Sequence, residues 1–338
     1  MEKQQTQKKG CCLIALVILL ILTLAIVLCG YTLYKSALSL IPRLEEEATL
    51  SIEEIEAIEN ETETLPEGAE FEVVEDVTMP AEDAELLESN EDIINILLIG
   101  QDRRPGEGRQ RSDSMILCTI NVEKKTLVMT SFLRDLYIDI PDWNGRSYQD
   151  NRLNVCYALG GMGMLNAALE KNFGIQVDHN MEVDFSGFKN IISLFGGVSI
   201  NLTKAEANYL GQGLKEGVNF LTPEQALNYS RIRYLDSDFG RTNRQRKVIM
   251  SLFNSVKNLS VTELSNLVTT MLPMISTNMK DEDITNYMMK ILPILSELQI
   301  TTQHIPVDGS YRSVYIRGMA VLVPDLPANI AVLQETLR

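Results

Sequence analysis

Twenty-five residues separate Lys9 from Lys35 without a single charge, and Leu13 to Leu28 is apolar but for Thr23. At 1.5 Å per residue this stretch makes roughly 37 Å of helix, longer than the hydrocarbon core of a bilayer, so a membrane-crossing helix is expected over 11–34. A removable leader would have a shorter apolar region and a small-residue cleavage site, and Ile26-Val27-Leu28 ahead of Cys29 does not supply one. Cys11, Cys12 and Cys29 are then residues of the span. Lys3, Lys8 and Lys9 precede it, which leaves residues 1–10 in the cytoplasm and everything after the span outside.

Charge divides the rest. The chain carries −16 overall, yet 20 of its 46 acidic residues lie between Leu44 and Asp92, where there is no Lys or Arg. Residues 1–43 hold one acid and five bases, which leaves 25 of each for residues 93–338. The acidity therefore belongs to a linker. Leu44, Ala48, Ile52, Ile55 and Ile58 keep near-helical spacing, whereas 64–92 holds Pro66, Gly68 and Pro80 in an acidic background and reads as disordered. Residues 35–92 are thus expected to be an extracytoplasmic stalk holding a single domain, 93–338, away from the membrane.

That domain opens on an apolar strand, Ile93–Ile99, ending at Gly100. Strands at 115–120 and 126–132, helices at 151–159 and 164–173, a strand at 181–185, a helix at 188–195 and a strand at 198–202 follow. This alternation predicts an α/β fold, three layers of α-β-α around a mixed central sheet. Thr222-Pro223-Glu224-Gln225 has the signature of a capped helix start, and a second helix should begin between Asp238 and Thr242. The tail predicts helices near 261–271 and 283–298, strands at 300–305 and 313–316, and a last helix from Pro327.

Into this neutral domain the chain packs Arg231, Arg233, Arg241, Arg244, Arg246 and Lys247. One reading is a solvated basic helix face partnered by Asp236 and Asp238. The other is a multi-oxygen anion, since guanidinium groups bind phosphate bidentately and a helix N-terminus adds free N–H groups. Asp102 and Asp113 flank the ends of neighbouring strands, where open α/β sheets keep their sites, and two hard carboxylates beside arginines would suit Mg2+ bridged to phosphate. The chain lacks GxSxG, HExxH and Walker motifs, and Gly160-Gly161-Met162-Gly163 reads as a helix-joining turn rather than a dinucleotide loop. Cys118 and Cys156 admit either a bridge or two buried thiols.

Asn95 to Gly100 with Asp102 and Arg104, Arg111-Ser112-Asp113, Arg134-Asp135, Leu153-Asn154 before Tyr157-Ala158, Asp184-Phe185 with Gly187-Phe188, Gly196-Gly197-Val198, Arg231-x-Arg233, and Asp238-Phe239-Gly240-Arg241 with Arg244-Gln245 occur in that order. Together they resemble the LytR-CpsA-Psr family of bacterial cell-envelope proteins, over roughly residues 93–258. The resemblance implies a membrane-anchored phosphotransferase outside the cytoplasm, moving a glycopolymer of teichoic acid or capsular type from a polyprenyl-pyrophosphate carrier to peptidoglycan. It implies Mg2+, or Mn2+ in its place, held by Asp102 and Asp113. Arg104, Arg134, Arg231, Arg233, Arg241, Arg244 and Gln245 would bind the pyrophosphate. Arg134, Asp135 and Asp238 would act in catalysis, and a long apolar cavity would take the prenyl chain. Leu133 and Ser193 depart from the family pattern, at positions that carry neither metal nor phosphate.

Two other classes fit parts of the sequence. A non-catalytic module binding polyprenyl-pyrophosphate or an anionic polymer would need the arginines but no metal. Nucleic-acid binding is the weakest class: the neutral domain, arginines without interleaved aromatics and the expected topology stand against it.

Overall fold

The computed structural model of this chain describes residues 35–36, 38–42, 50–62, 71–75, 77–80, 83–101, 109–233, 235–257 and 259–337. The expected span at 11–34 lies outside them, as do Asp102 and Arg104. Among the described residues no helix is long and apolar enough to cross a membrane.

The centre is a six-stranded mixed sheet. Its first three members are consecutive and antiparallel: β2 (Ile93–Gln101), β3 (Ser112–Asn121) and β4 (Thr126–Phe132), preceded in the chain by the short β1 (Glu72–Val73). Short β5 (Tyr137–Ile138) and β6 (Asn151–Arg152) pair outside this sheet. Strand β7 (His179–Asp184) joins β2 in parallel. The hairpin of β8 (Val198–Leu202) and β9 (Gly217–Leu221) stands apart. Strand β10 (Ser276–Thr277) caps β7, and β11 (Gln299–Ile305) runs parallel to β4 at the other edge, giving the order β10-β7-β2-β3-β4-β11.

Side chains two apart share a face of a strand, and here both faces are apolar. Leu97, Ile99, Met115, Leu117 and Phe132 join one core cluster; Ile94, Ile96, Ile116, Ile120 and Met129 join another on the opposite face. Burying each such side chain stabilises the fold by about 1.5–3 kcal/mol before entropy is counted. The first face is covered by α2 (Leu153–Phe173), itself preceded in the chain by α1 (Ile52–Glu59). The expected turn within α2 is present as a kink: Gly160 and Gly161 leave helical geometry, and Gly161 has φ +61°. α3 (Phe185–Leu194), α4 (Lys204–Leu210) and α5 (Pro223–Ser230) surround the β8-β9 hairpin. The second face takes α6 (Asp238–Val256), with α7 (Val261–Met271) and α8 (Asp281–Ile291) beyond it. The helix expected through 298 ends at 291 and continues as a 3-10 turn, Leu292–Glu297, because Pro293 removes a donor. The chain closes with β12 (Tyr311–Ile316), β13 (Met319–Pro324) and α9 (Leu326–Leu337).

The stalk is corrected for its described residues. Leu50, Ile55 and Ile58 pack against the core that holds α2, and β1 pairs in parallel with β12. The Leu87 amide donates to the Gly174 carbonyl at 2.8 Å, and the Ala84 amide to Lys171 at 2.8 Å. Acidic residues here face basic ones of the domain: Glu59 pairs with Arg146 at 2.8 Å, and Arg111 with Glu61. Cys118 and Cys156 are free thiols, and burial pushes Cys118 up to about 12 and raises Cys156 as well.

Candidate active site

Four chain segments converge at the C-terminal end of β4 and the start of β3. The capping box of Thr222 and Gln225, with Pro223 in the first turn, fixes where α5 begins and so where it ends. Arg231 is its C-cap, and Arg233 follows two residues later. Helix α6 starts at Asp238, and one turn of spacing puts Arg241 and Gln245 on a common face. Arg134-Asp135 follows β4 directly, and Asp113-Ser114 lies at the start of β3.

Asp113 is the hub. Its Oδ1 accepts from Arg134 at 3.0 Å and from Arg233 at 3.3 Å, while its backbone carbonyl accepts from Arg241 at 3.2 Å. Arg134 also meets Asp135 at 3.3 Å, and Arg241 meets Asp238 at 2.8 Å. Ser114 donates to the Gln245 side chain at 2.9 Å, and the Arg231 guanidinium lies 4.6 Å from the Phe185 ring centre. Arg241 is only 2% exposed, yet its Nε and Nη1 have no hydrogen-bond partner among the described residues. Leaving a buried donor unmatched costs about 1–3 kcal/mol, which an anion supplying oxygens there would recover.

Burial disfavours both charges of the Arg241–Asp238 pair, lowering the arginine and raising the carboxyl. Arg134 and Arg233 add to the first shift, and Asp135 adds to the second. Burial also works against Arg134, but Asp135, Asp238 and Asp113 together hold it above its usual range.

Two members of the cluster lie elsewhere. Arg244, assigned to the pyrophosphate on sequence, is 3% exposed and pairs with Glu206 at 2.8 Å and with Asp236, while also donating to the Ile232 carbonyl at 3.2 Å. It ties α6 to α4 and to the turn after α5, because a residue adjacent to Gln245 lies about 100° round the helix from it. Arg246, expected on a solvated face, is 4% exposed, and burial drops it to about 10.

Asp113, Arg134, Arg231, Arg233, Arg241 and Gln245 form one end of a cavity of about 1040 Å3. The remainder is mostly apolar, with Ser114, Asp184, Asn228 and Ser230 among its polar members, between β2, β3 and β7 on one side and α3, α6 and α7 on the other. Phe188, Ile191, Phe195, Leu252, Val268 and Met271 are among its walls. The sequence predicted such a cavity only through resemblance and gave no position for it. Ile249, Leu252, Phe253 and Val256 continue the Arg241-Gln245 stripe of α6 at helical spacing, a signal that could have located this wall.

The LytR_cpsA_psr family profile matches residues 51–336. The chain belongs to that family. It is 32% identical over 229 residues to Regulatory protein MsrR of Staphylococcus aureus, covering 67% of this chain and 68% of MsrR. It is 35% identical over 197 residues to Polyisoprenyl-teichoic acid--peptidoglycan teichoic acid transferase TagU of Bacillus licheniformis, covering 57% of this chain and 62% of TagU. Among solved structures, protein gbs0355 of Streptococcus agalactiae superposes with a TM-score of 0.61 at 25% identity, over 73% of this chain and 86% of that one.

Among the described residues of this LytR-CpsA-Psr domain no group of three His, Cys, Asp or Glu suited to a metal occurs, and Asp102 lies outside them. Asp113 still fits a cation that phosphate oxygens help to hold. Both arginines reach it through Oδ1, at 3.0 and 3.3 Å. One or two carboxylates completed by phosphate and water is the usual Mg2+ arrangement.

Proposed function

We propose that this protein transfers a glycopolymer from a polyprenyl-pyrophosphate carrier to peptidoglycan, forming a phosphodiester outside the cytoplasmic membrane. One observation carries this reading: a single cavity joins an arginine-lined end to a long apolar body. Its 1040 Å3 is at the top of the range for small-molecule sites, about 300–1,000 Å3, and suits an amphiphile with a multiply charged head and a long tail. The activity in TagU's name is the same combination of polyisoprenyl donor and peptidoglycan acceptor.

Arg231, Arg233, Arg241 and Gln245 bind the pyrophosphate oxygens, with Arg104 added from the family resemblance. Arg134, braced by Asp113 and Asp135, presents its charge to the phosphoryl group under attack. The acceptor hydroxyl attacks the phosphorus bearing the glycan, the bridging P–O bond breaks, and polyprenyl phosphate leaves. Asp238, raised toward neutrality by burial, takes the hydroxyl proton, with Asp135 beside it. Mg2+, or Mn2+ in its place, would be held by Asp113 and Asp102 and would neutralise charge on the phosphate oxygens. Positioning and charge neutralisation provide most of the rate in such transfers.

The test incubates the full chain with a synthetic polyprenyl-pyrophosphate glycan and peptidoglycan fragments, with and without Mg2+. Phosphodiester-linked product forms only when metal and acceptor are both present. The name of MsrR favours a second reading, a regulator that binds the same ligand without turnover. Tight donor binding that needs no metal, with no product, would establish that reading instead.

A further inference from the structure

The cavity's apolar end is backed by the chain segment that follows the uncharged run. Leu38 and Ile41 are buried in a cluster with Ile191, Leu272 and Ile275, and Ile191 and Ile275 also line the cavity. The same segment is fixed by its polar groups: the Thr277 amide donates to the Pro42 carbonyl at 3.3 Å, and Lys35 lies 3.6 Å from Asp281. Leu40, between these anchors, is 54% exposed.

A shallow groove of about 400 Å3 continues from this end. It shares Phe195 and Leu267 with the cavity and adds Leu194 and Leu259, with polar residues such as Glu263 and Thr270 at its rim. An apolar floor with a polar rim is surface that water does not favour. Lys35, the first charged residue after the uncharged run 10–34, is tied to Asp281, and the cluster that holds Leu38 and Ile41 also takes Phe195 of the groove.

We propose that Lys35, Leu38, Ile41 and Pro42 seat the domain on the outer face of a lipid bilayer, with the groove turned to the lipid. A prenyl tail would then pass from the bilayer through the groove into the cavity without crossing water. The entry route rests on the donor proposed above; the seating does not. The occupant of the groove is the bilayer surface itself, because the run that precedes Lys35 is long enough to hold the domain there.

The test uses the full chain in vesicles, with Cys11, Cys12 and Cys29 changed to Ser and an environment-sensitive fluorophore on Thr270→Cys or on Asn144→Cys. Thr270 is at the groove rim; Asn144 is in the Trp143 turn, on the side of the sheet covered by α2. Lipids brominated near the headgroup should quench the label at 270 by about twofold and leave the label at 144 unchanged, as expected for groups within ~10 Å of the interface. Leu38→Ser with Ile41→Ser should abolish the difference while the melting transition persists, and Leu38→Met should keep it. Equal quenching at both positions would overturn the seating. So would quenching that survives the double substitution, or protection of position 270 by a second copy of the chain in detergent. Absence of donor binding with preferential quenching at 270 would count against the proposed function alone.

Discussion

Arg233 and Arg241 sit eight residues apart and do different physical work. Arg233 is exposed and reaches Asp113 with one terminal nitrogen, so Arg233→Ala removes charge from the cavity without opening a hole in the core. Transfer should fall about 10²–10³-fold, the cost of losing one preorganised donor, with the melting temperature unchanged; a variant that keeps wild-type turnover would remove Arg233 from the site. Asp238 makes a prediction with a sign. Its folded pKa is raised, chiefly by burial, so the carboxylate needed as base is lost as pH falls through a value above the ordinary 3.8. The acid limb of the kcat profile should lie above that value and vanish in Asp238→Asn, along with most of the rate. Linkage gives the matching stability effect. Protonation favours the folded state, so this contribution is full below the unfolded pKa and lost as pH rises through the folded one. Urea titrations should show wild type losing stability relative to Asp238→Asn over that window. The types and order of these residues were legible in the sequence. Which arginine faces the cavity was not read, although the apolar stripe of α6 that Arg241 and Gln245 continue sets Arg244 about 100° away from Gln245.

At the scale of elements, local chemistry was readable where it is self-contained. The Thr222 capping box and the apolar strands from Ile93 are determined by neighbours in sequence, and both appear as expected. Strand β13 was missed because its hairpin turns through Arg317 and Gly318, at φ +48° and +78°, a pair without the usual Asn-Gly signature. Besides Arg241, helix α6 carries two further buried arginines, and the sequence reading placed both wrongly, Arg244 at the pyrophosphate and Arg246 in solvent. Arg244 is paired on both sides, and removing it strands Glu206, which is itself buried, so Arg244→Met should cost about 3–5 kcal/mol. Arg246 has Nε and Nη1 unmatched among the described residues, and its pKa falls to about 10 through burial alone. Arg246→Met should therefore be neutral or stabilising by about 1–3 kcal/mol, the cost of the unsatisfied donors it removes. Denaturant unfolding of the two variants should move in opposite directions. Equal losses would mean that Arg246 is held by partners as strong as those of Arg244. At Gly240 a Cβ would lie 2.3 Å from the Asp236 carboxyl that Arg244 holds, so any larger residue there must displace that carboxyl.

Over the whole molecule, the acidic segment is the clearest case of a correct local reading with the wrong tertiary consequence. Leu44, Ala48, Ile52, Ile55 and Ile58 keep the spacing that announced a helix; twenty carboxylates around them suggested solvent on every side. Ile55 and Ile58, with Leu50 ahead of the helix, are instead packed on the domain core while Ile52 stays exposed, and some of the carboxylates meet cations the domain provides, as Glu59 meets Arg146 and Glu61 meets Arg111. Charge composition is blind to such pairing because the partners lie some 50 to 90 residues away in sequence. The consequence can be measured on fragments. A chain beginning at residue 93 exposes the core surface under those three side chains and leaves β12 without its parallel neighbour β1. At about 1 kcal/mol for each half-buried apolar side chain, it should be roughly 3 kcal/mol less stable than a chain beginning at residue 50. For a domain of this size that corresponds to a melting temperature lower by about 6–12 °C. Leu50→Ser with Ile55→Ser and Ile58→Ser in the longer chain should reproduce most of the loss, since the contribution is apolar burial rather than charge. Calorimetry showing equal melting temperatures for the two fragments would return residues 50–92 to the role of a tether. A loss that appears on truncation but not with the three serines would assign the stabilisation to the β1–β12 pairing and the Glu59 and Glu61 ion pairs.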